Sequence, residues 1–351
     1  MPGPKKIVVF CPRGRQGESV CRYLTQDPQY EVFAVTRLAK DLENIGPNVT
    51  STQDVQAVGG QLPEEALKAF EGLKKLGVNL VYGDFLDPST FPQLLHGAFG
   101  CWWNVSFFSN LARCGGDFDA AAEADFTQGK CILDACQAAQ VKLVCFGLLS
   151  KTLSVDMAYF RGSERSTSYT IISFADGNPF DDVISVQSRN TLELAEFHRP
   201  LYGNMVKNED GTFSVVPPVP NDTINIWTAV EQTGAFAAVA YRDPGKWAGK
   251  GMSMISEIMT YGGDLPKKLS AISGKEVKPW NLTEEQWSAE ENKTRLAPMW
   301  GILDNMYRYY VGFDFVAHNC PEQPRDIVPE LWTLDEWAKQ SREFHDFVGY
   351  S

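Results

Sequence analysis

The sequence predicts an α/β protein with a doubly wound parallel sheet and a smaller carboxyl-terminal α/β domain. Short apolar segments alternate with helical segments over the first 150 residues, a glycine-containing loop directly follows the first apolar segment, and the composition changes after residue 200. We therefore expect the doubly wound domain over residues 5–200 and the smaller one over 201–351, with the option that the two interleave.

The first strand-loop-helix unit has the clearest pattern. Lys5–Phe10 contains a short continuous apolar run after its two lysines, as expected for a strand that is buried on both faces of a parallel sheet. Glu18–Leu24 has apolar side chains at helical spacing, and Glu31–Arg37 has the composition of a second strand. Together these segments predict a βαβ unit.

The alternation of strands and helices continues along the chain. Further strands are expected at Val78–Tyr82, Gly100–Val105, Val141–Phe146 and Ser168–Ser173, and helices at Glu64–Leu76, Pro88–His96, Ala120–Ala139, Ser188–His198 and Thr228–Tyr241. Five strands that alternate with helices are typical of the doubly wound architecture.

Composition and charge restrict the classes of function. The 351 residues have a formal net charge of −12, which disfavours binding to nucleic acid. No apolar run approaches the length of a membrane span or of a signal-peptide core, so we expect a cytoplasmic protein without a membrane partner. The eight cysteines include no CxxC pair, so we expect no metal site.

The loop after the first strand predicts a nucleotide-binding site of the Rossmann type. Backbone amides must approach a diphosphate closely, and the following helix then offers free N–H groups to the anion. Gly14 and Gly17 occupy the last two positions of a G-x-x-G-x-x-G pattern, whereas Cys11 occupies the first, where glycine normally permits a tight turn. The predicted cofactor-binding residues of the loop are Arg13, Gly14, Arg15, Gln16 and Gly17. The alternative is a Rossmann domain that has lost its cofactor.

Arg37 favours NADP(H) over NAD(H). It ends the second predicted strand, 23 residues after Gly14, where an acidic residue would bind the ribose 2′-hydroxyl of NAD. A guanidinium matches the oxygens of a 2′-phosphate instead. Arg13 and Arg15 either reinforce this preference or are solvated surface charges.

Several segments resemble one known family. The run Ile7–Arg37, the segment Gly83–Asp87, the tripeptide Gln128–Lys130 and the ending Trp332–Trp337 resemble the NmrA-like family of atypical short-chain dehydrogenases. The resemblance covers most of the chain and implies a Rossmann domain that prefers NADP(H). It also implies that Asp84 and Phe85 lie near the adenine, and that Trp103 and Asn104 lie near the ribose and the nicotinamide.

The predicted catalytic residues are Tyr159 and Lys151. Reduction of a carbonyl needs an acid, and short-chain dehydrogenases use a tyrosine whose pKa is lowered by a lysine four residues later. Tyr159 lies at the expected distance after the fifth strand, but Ser163 occupies the lysine position. Lys151 is the candidate substitute. The alternative is that Tyr159 only packs against its neighbours.

Three functions are compatible with these features. The first, which we favour, is an NADPH-dependent reductase of a small organic carbonyl or imine, and carboxyl-terminal aromatic residues suit an aromatic substrate. The second is a non-catalytic NADP(H) sensor that binds a protein partner, which Ser163 favours. The third is a cofactor-independent cyclase or dehydratase, which Cys11 favours. The aromatic residues in question are Trp280, Trp287, Trp300, Tyr307, Tyr309 and Tyr310.

Overall fold

In the computed structural model the chain forms two units that interleave in sequence. One unit comprises Met1–Ile172 and Glu231–Met252, and the other comprises Ser173–Val230 and Ser253–Ser351. The structure describes residues 3–37, 64–104, 107–148, 168–173, 192–193, 205–215, 220–247, 250–279, 283–296, 300, 304 and 324–348. The chain therefore leaves the first unit, builds part of the second, and returns.

The strands form three sheets. In chain order they are β1 (Lys5–Val9), β2 (Tyr30–Thr36), β3 (Asn79–Tyr82), β4 (Gly100–Asn104), β5 (Leu143–Leu148), β6 (Ser168–Ser173), β7 (Leu192–Glu193), β8 (Met205–Lys207), β9 (Phe213–Val215), β10 (Ile224–Thr228), β11 (Lys250–Ser253), β12 (Glu257–Thr260) and β13 (Val277–Pro279). The largest sheet has the order β3-β2-β1-β4-β5-β6-β11, and the smaller ones are β12-β10-β7 and β13-β9-β8. The pairs β2–β3, β1–β2, β1–β4 and β4–β5 are parallel. This order is that of a Rossmann fold, so the predicted doubly wound sheet is confirmed.

The α-helices that the structure describes follow the strands of both units. They are α1 (Arg15–Thr25), α2 (Glu64–Lys75), α3 (Phe91–Leu95), α4 (Phe107–Arg113), α5 (Phe118–Ala138), α6 (Thr233–Arg242), α7 (Pro244–Trp247), α8 (Asp264–Ser273), α9 (Glu284–Trp287), α10 (Glu290–Leu296), α11 (Pro324–Ile327), α12 (Leu334–Gln340) and α13 (Arg342–Val348). Within the described ranges no helix has the length and apolarity that crossing a membrane requires.

The core of the first unit lies on both faces of the large sheet. The side chains of Ile7, Val8 and Val9 in β1 are fully buried, as are those of Cys101 and Trp102 in β4. Burial of consecutive side chains, rather than alternate ones, requires layers of helices on both faces. The uninterrupted apolar run of the first strand is therefore explained by its central place in the sheet.

Helix α1 packs against α6, the helix that returns from the second unit. The two backbones meet at Gly234, where a Cβ atom would lie 2.2 Å from the carbonyl oxygen of Ser19. The Ser19 hydroxyl donates to the carbonyl oxygen of Glu231 (2.6 Å) and accepts from the N–H of Gly234 (2.9 Å). Glycine and serine thus allow a close crossing with satisfied polar groups.

Two predicted helices differ from the structure. Ser188–His198 was expected to be helical, but Leu192–Glu193 forms strand β7, which pairs in parallel with β10. The helix expected from Thr228 begins at Thr233, because Ile224–Thr228 forms β10. The alternating β-branched residues Ile224, Ile226 and Thr228 favour a strand, which the helical pattern of the following alanines obscured.

The second unit has its own aromatic core. Trp287 is buried there, its indole N–H donates to Asp304 (2.9 Å), and its ring lies 6.2 Å from that of Trp300. Trp227 and Trp337 are also buried in this core. Of the residues that the sequence associated with an aromatic substrate, Trp287 therefore lies in the interior of this unit, and the partly buried Trp300 packs against it. Trp280, Tyr307, Tyr309 and Tyr310 lie outside the described residues.

Candidate nucleotide-binding site

The predicted site residues emerge at one edge of the large sheet. Val9 pairs with Ala34 of β2 and with Trp102 of β4, so the three strands end at the same edge. Arg37 and Asn104 follow within three residues of these pairs. Helices leave β1 and β4 at the point where the strand order reverses, which is where open α/β sheets bind ligands.

Cys11 makes the tight turn that was expected of a glycine. Its φ of 53° lies in the left-handed region, which costs a residue with a Cβ about 1–2 kcal/mol. The carbonyl oxygen of Cys11 accepts a hydrogen bond from the N–H of Gly14 (3.0 Å). Burial raises the pKa of the Cys11 thiol to about 12, so the thiol is neutral at physiological pH and does not repel an anion.

Gly17 allows close contact between α1 and the loop, and Gly14 has open space around the position of a Cβ atom. A Cβ at Gly17 would lie 2.3 Å from the carbonyl oxygen of Cys11 and 3.0 Å from the Cα of Pro12. A Cβ at Gly14 would lie 3.4 Å from the same oxygen, which is ordinary contact, and the φ of Gly14 is −73°. The two glycines therefore have different roles.

The amino terminus of α1 is suited to an anion. The helix has eleven residues, begins at Arg15, and no side-chain hydrogen bond caps it at Gly14. Uncapped N–H groups and the helix dipole favour a phosphate at this end. Gln16 is only 4% exposed, and its Oε1 has no hydrogen-bond partner among the described residues. The free N–H groups at this end thus fit a diphosphate group, whereas the Oε1 of Gln16 is an acceptor and would not bond to an anion.

Three arginines lie in or near the segments that lead to this end of α1. Arg13 is exposed in the loop, Arg15 is half-buried at the first helical position, and Arg37 is exposed directly after β2. β1 and β2 are adjacent, so the loop and Arg37 follow neighbouring strand ends. These positive charges contrast with the net charge of −12 for the chain.

Asp84 and Phe85 follow β3, two strands from β1. The Asp84 carboxylate accepts the N–H of Leu86 (2.9 Å), which fixes the turn. The Phe85 ring is half-buried, and its centroid lies 5.8 Å from that of Phe10 and 6.4 Å from that of Phe91. One part of the Phe85 ring is therefore anchored in the core, while the rest is accessible.

Trp103 and Asn104 end β4 in different environments. Trp103 is fully buried. Asn104 is half-buried, and its Oδ1 is a buried acceptor for which the described part of the chain supplies no donor. Of the two, Asn104 is the one whose side chain is partly exposed at the carboxyl edge.

The catalytic hypothesis concerns residues that the structure does not describe. Tyr159, Lys151 and Ser163 lie outside the described residues. Within the described residues there is also no group of three or more His, Cys, Asp and Glu side chains that could hold a metal ion.

A buried polar network near this edge is absent from the sequence-based predictions. It joins Asn110 of α4 to Asp125 and Gln128 of α5. Asp125 shares a helix face with Ala121, Gly129 and other buried residues. A carboxylate on an otherwise apolar face of a predicted helix is the signal that points to such a network.

Comparisons with known proteins agree with this architecture. Residues 3–155 match the model of the NmrA-like family. No curated protein sequence matches the chain. The fold resembles NmrA, a negative transcriptional regulator, with a TM-score of 0.64, 15% identity and coverage of 99% of this chain and 98% of that one.

Two further solved structures with this fold are of enzymes in complex with a cofactor. Triphenylmethane reductase of Citrobacter sp. in complex with NADP(H) has a TM-score of 0.63 at 15% identity, with coverage of 95% and 99%. The NADPH-dependent quinone oxidoreductase QOR2 of Escherichia coli in complex with NADPH has a TM-score of 0.58 at 18% identity, also with coverage of 95% and 99%.

Proposed function

Because residues 3–155 match the model of the NmrA-like family, we propose that this chain binds NADP(H) at the carboxyl edge of its large sheet and reduces a small organic carbonyl or imine. The observation that supports this most is the loop between β1 and α1. Cys11 forms its left-handed turn, Gly17 allows close packing, and α1 begins without a side-chain cap. The reductase and the oxidoreductase that share the fold bind NADP(H) and NADPH.

Each residue of the proposed site has a distinct task. The first turn of α1 and the backbone of Gly14 hold the diphosphate, and Arg37 contacts the 2′-phosphate. Asp84 and Phe85 border the adenine, and the Oδ1 of Asn104 accepts a hydrogen bond at the nicotinamide end. When bound, NADPH supplies a hydride to the substrate.

Proton transfer is assigned to Tyr159 with Lys151. The phenol protonates the developing alkoxide or amide anion of the substrate, and the ammonium group lowers the pKa of that phenol. In this proposal the substrate is a small organic carbonyl or imine.

A non-catalytic sensor is the second candidate. The observation in its favour is Ser163, which stands where short-chain dehydrogenases have their lysine. In that case the chain binds NADP(H) without oxidising it and transmits the bound state to a protein partner. The cofactor-independent alternative was favoured by Cys11 at the position of the first glycine; the left-handed turn at Cys11 supports cofactor binding over this alternative.

Calorimetry with NADPH and NADH tests cofactor binding. The wild-type protein is expected to bind NADPH more tightly, and Arg37→Ala is expected to weaken NADPH binding about tenfold or more while leaving NADH binding unchanged. Arg22→Ala, on the exposed side of α1 where Arg22 pairs with Glu18, is the matched control. Binding of neither nucleotide would refute the proposal.

Turnover separates the reductase from the sensor. Oxidation of NADPH in the presence of a panel of carbonyl and imine compounds is followed by the loss of its absorbance. A reductase gives turnover that Tyr159→Phe abolishes without weakening NADPH binding. Tight binding of NADPH without turnover across the panel would support the sensor.

A further inference from the structure

A polar network centred on Asn110 is buried between α4 and α5 of the first unit. Asn110 and Asp125 are 2% and 0% exposed. The Nδ2 group of Asn110 donates to Oδ1 of Asp125 and to Oε1 of Gln128 (3.0 Å). Its Oδ1 accepts from Nε2 of Gln128 (3.2 Å) and from the guanidinium of Arg113 (3.1 Å). All four hydrogen-bonding positions of the Asn110 amide are therefore used.

This network is a costly way to hold two helices together. A buried carboxyl group is penalised by loss of hydration, and the Oδ2 of Asp125 has no hydrogen-bond partner among the residues that the structure describes. Burial raises the pKa of Asp125 to about 6. Apolar side chains join helices at lower cost, whereas the Asn110 amide, with all its hydrogen-bonding positions used, restricts how α4 can lie on α5. The network thus fixes the register of α4 on α5.

The position of α4 matters because of the strand that precedes it. α4 begins at Phe107, three residues after Asn104. Three peptide units span at most about 11 Å, so α4 begins close to the carboxyl end of β4. That end lies beside β1 at the reversal of strand order, and it bears the buried Oδ1 of Asn104, which has no hydrogen-bond partner among the described residues.

We propose that Asn110, Asp125 and Gln128 are positioning residues that hold α4 so that the carboxyl end of β4 can receive the nicotinamide half of the cofactor. This inference rests on the proposed function. It predicts that damage to the network weakens binding of the nicotinamide half and spares the adenosine half, which the α1 loop, Arg37 and Asp84 bind.

Two ligands distinguish the adenosine half of the proposed cofactor site from the nicotinamide half. NADPH occupies the whole proposed site, whereas adenosine 2′,5′-bisphosphate lacks the nicotinamide end. In calorimetry, Asn110→Ala is expected to weaken NADPH binding about tenfold, within the usual range of coupling between neighbouring sites, and to change binding of the bisphosphate less than about twofold. Asp125→Ala is expected to behave similarly, and Asp125→Asn, which keeps the acceptor oxygen, is expected to recover most of the NADPH affinity.

A surface carboxylate on the same helix provides the control. Asp134 pairs with Lys130 of α5 (3.0 Å), both partly exposed, and Asp134→Asn makes the same chemical change outside the network. The affinities of Asp134→Asn for NADPH and for the bisphosphate are expected to equal those of the wild type. If Asn110→Ala does not fold, Gln128→Ala, which removes two of the four bonds of Asn110, tests the same expectation.

The outcomes separate this inference from the proposed function. If the wild-type protein binds both ligands and the variants weaken both equally, or neither, the network is only structural and the inference is wrong, while cofactor binding stands. If the wild type binds neither ligand, the proposed function is wrong and this inference falls with it. Selective loss of NADPH affinity supports both.

Discussion

Replacing each glycine of the α1 loop by alanine separates folding from cofactor binding. At Gly17 the new methyl group would meet the carbonyl oxygen of Cys11 at 2.3 Å, and both Cys11 and Pro12 contribute backbone atoms that no side-chain rotation can move. Ordinary contact requires the gap to open by about 1 Å. Such overpacking typically costs 1–3 kcal/mol, so Gly17→Ala should lower the free energy of unfolding by about that amount and displace the first turn of α1.

Gly14→Ala is the matched comparison. Its methyl group lies 3.4 Å from the same oxygen, and alanine adopts a φ of −73° without strain. We therefore expect the free energy of unfolding to change by less than about 0.5 kcal/mol. NADPH binding should nevertheless weaken, because the methyl group faces the space in which the diphosphate must approach the backbone.

Urea denaturation and NADPH calorimetry on both variants measure the two effects. Gly17→Ala is expected to lower the stability, whereas Gly14→Ala is expected to weaken NADPH binding without lowering the stability. If Gly14→Ala binds NADPH as tightly as the wild type, the diphosphate does not approach this loop. If Gly17→Ala is as stable as the wild type, the close approach of Cys11 to α1 is not as the structure has it.

Three further predictions concern the first unit. Cys11→Gly should raise the free energy of unfolding in urea by about 1 kcal/mol, because it relieves the left-handed conformation; a lower value would show that the turn is not strained. Ser19→Ala leaves the buried N–H of Gly234 without its acceptor and should cost about 1–3 kcal/mol in the same assay, and an unchanged stability would contradict the crossing of α1 and α6. Burial raises the pKa of Asp125 to about 6 from the usual 3.8, so between these two pH values the folded state retains a proton that the unfolded chain loses. As the pH rises from 4 to 7, the free energy of unfolding of the wild type should therefore fall by up to about 3 kcal/mol relative to that of Asp125→Asn. Parallel stability curves for the two proteins would refute this.

The sequence was sufficient where local patterns decide the structure. The apolar runs within Lys5–Phe10 and Val141–Phe146 predict buried parallel strands, and the loop that follows the first of them predicts a nucleotide-binding site of the Rossmann type. The strand β7 was missed because its two residues become a strand only by pairing with β10, more than 30 residues away. Such pairing leaves no local period in the sequence.

The site was predictable in its backbone and less so in its side chains. The glycine spacing identifies the loop, but only the structure separates the close contact at Gly17 from the open space at Gly14. Trp103 and Asn104 are neighbours in sequence, yet Trp103 is fully buried, whereas Asn104 is half-buried and its Oδ1 has no partner in the part of the chain that the structure describes. The network of Asn110 depends on two helices meeting, and neither helix alone indicates its partner.

The meeting of Ser19 with Gly234 has a consequence for biosynthesis. The two residues are 215 positions apart, so at 5–20 residues per second the ribosome needs roughly 10–40 s to supply the partner of α1 after α1 itself has been made. During that interval the face of α1 that later contacts α6 stays open to other nascent chains and to chaperones. A gene fragment that ends where the family match ends, at residue 155, would make this exposure permanent, so recombinant work on the nucleotide site should start from chains that extend beyond residue 252.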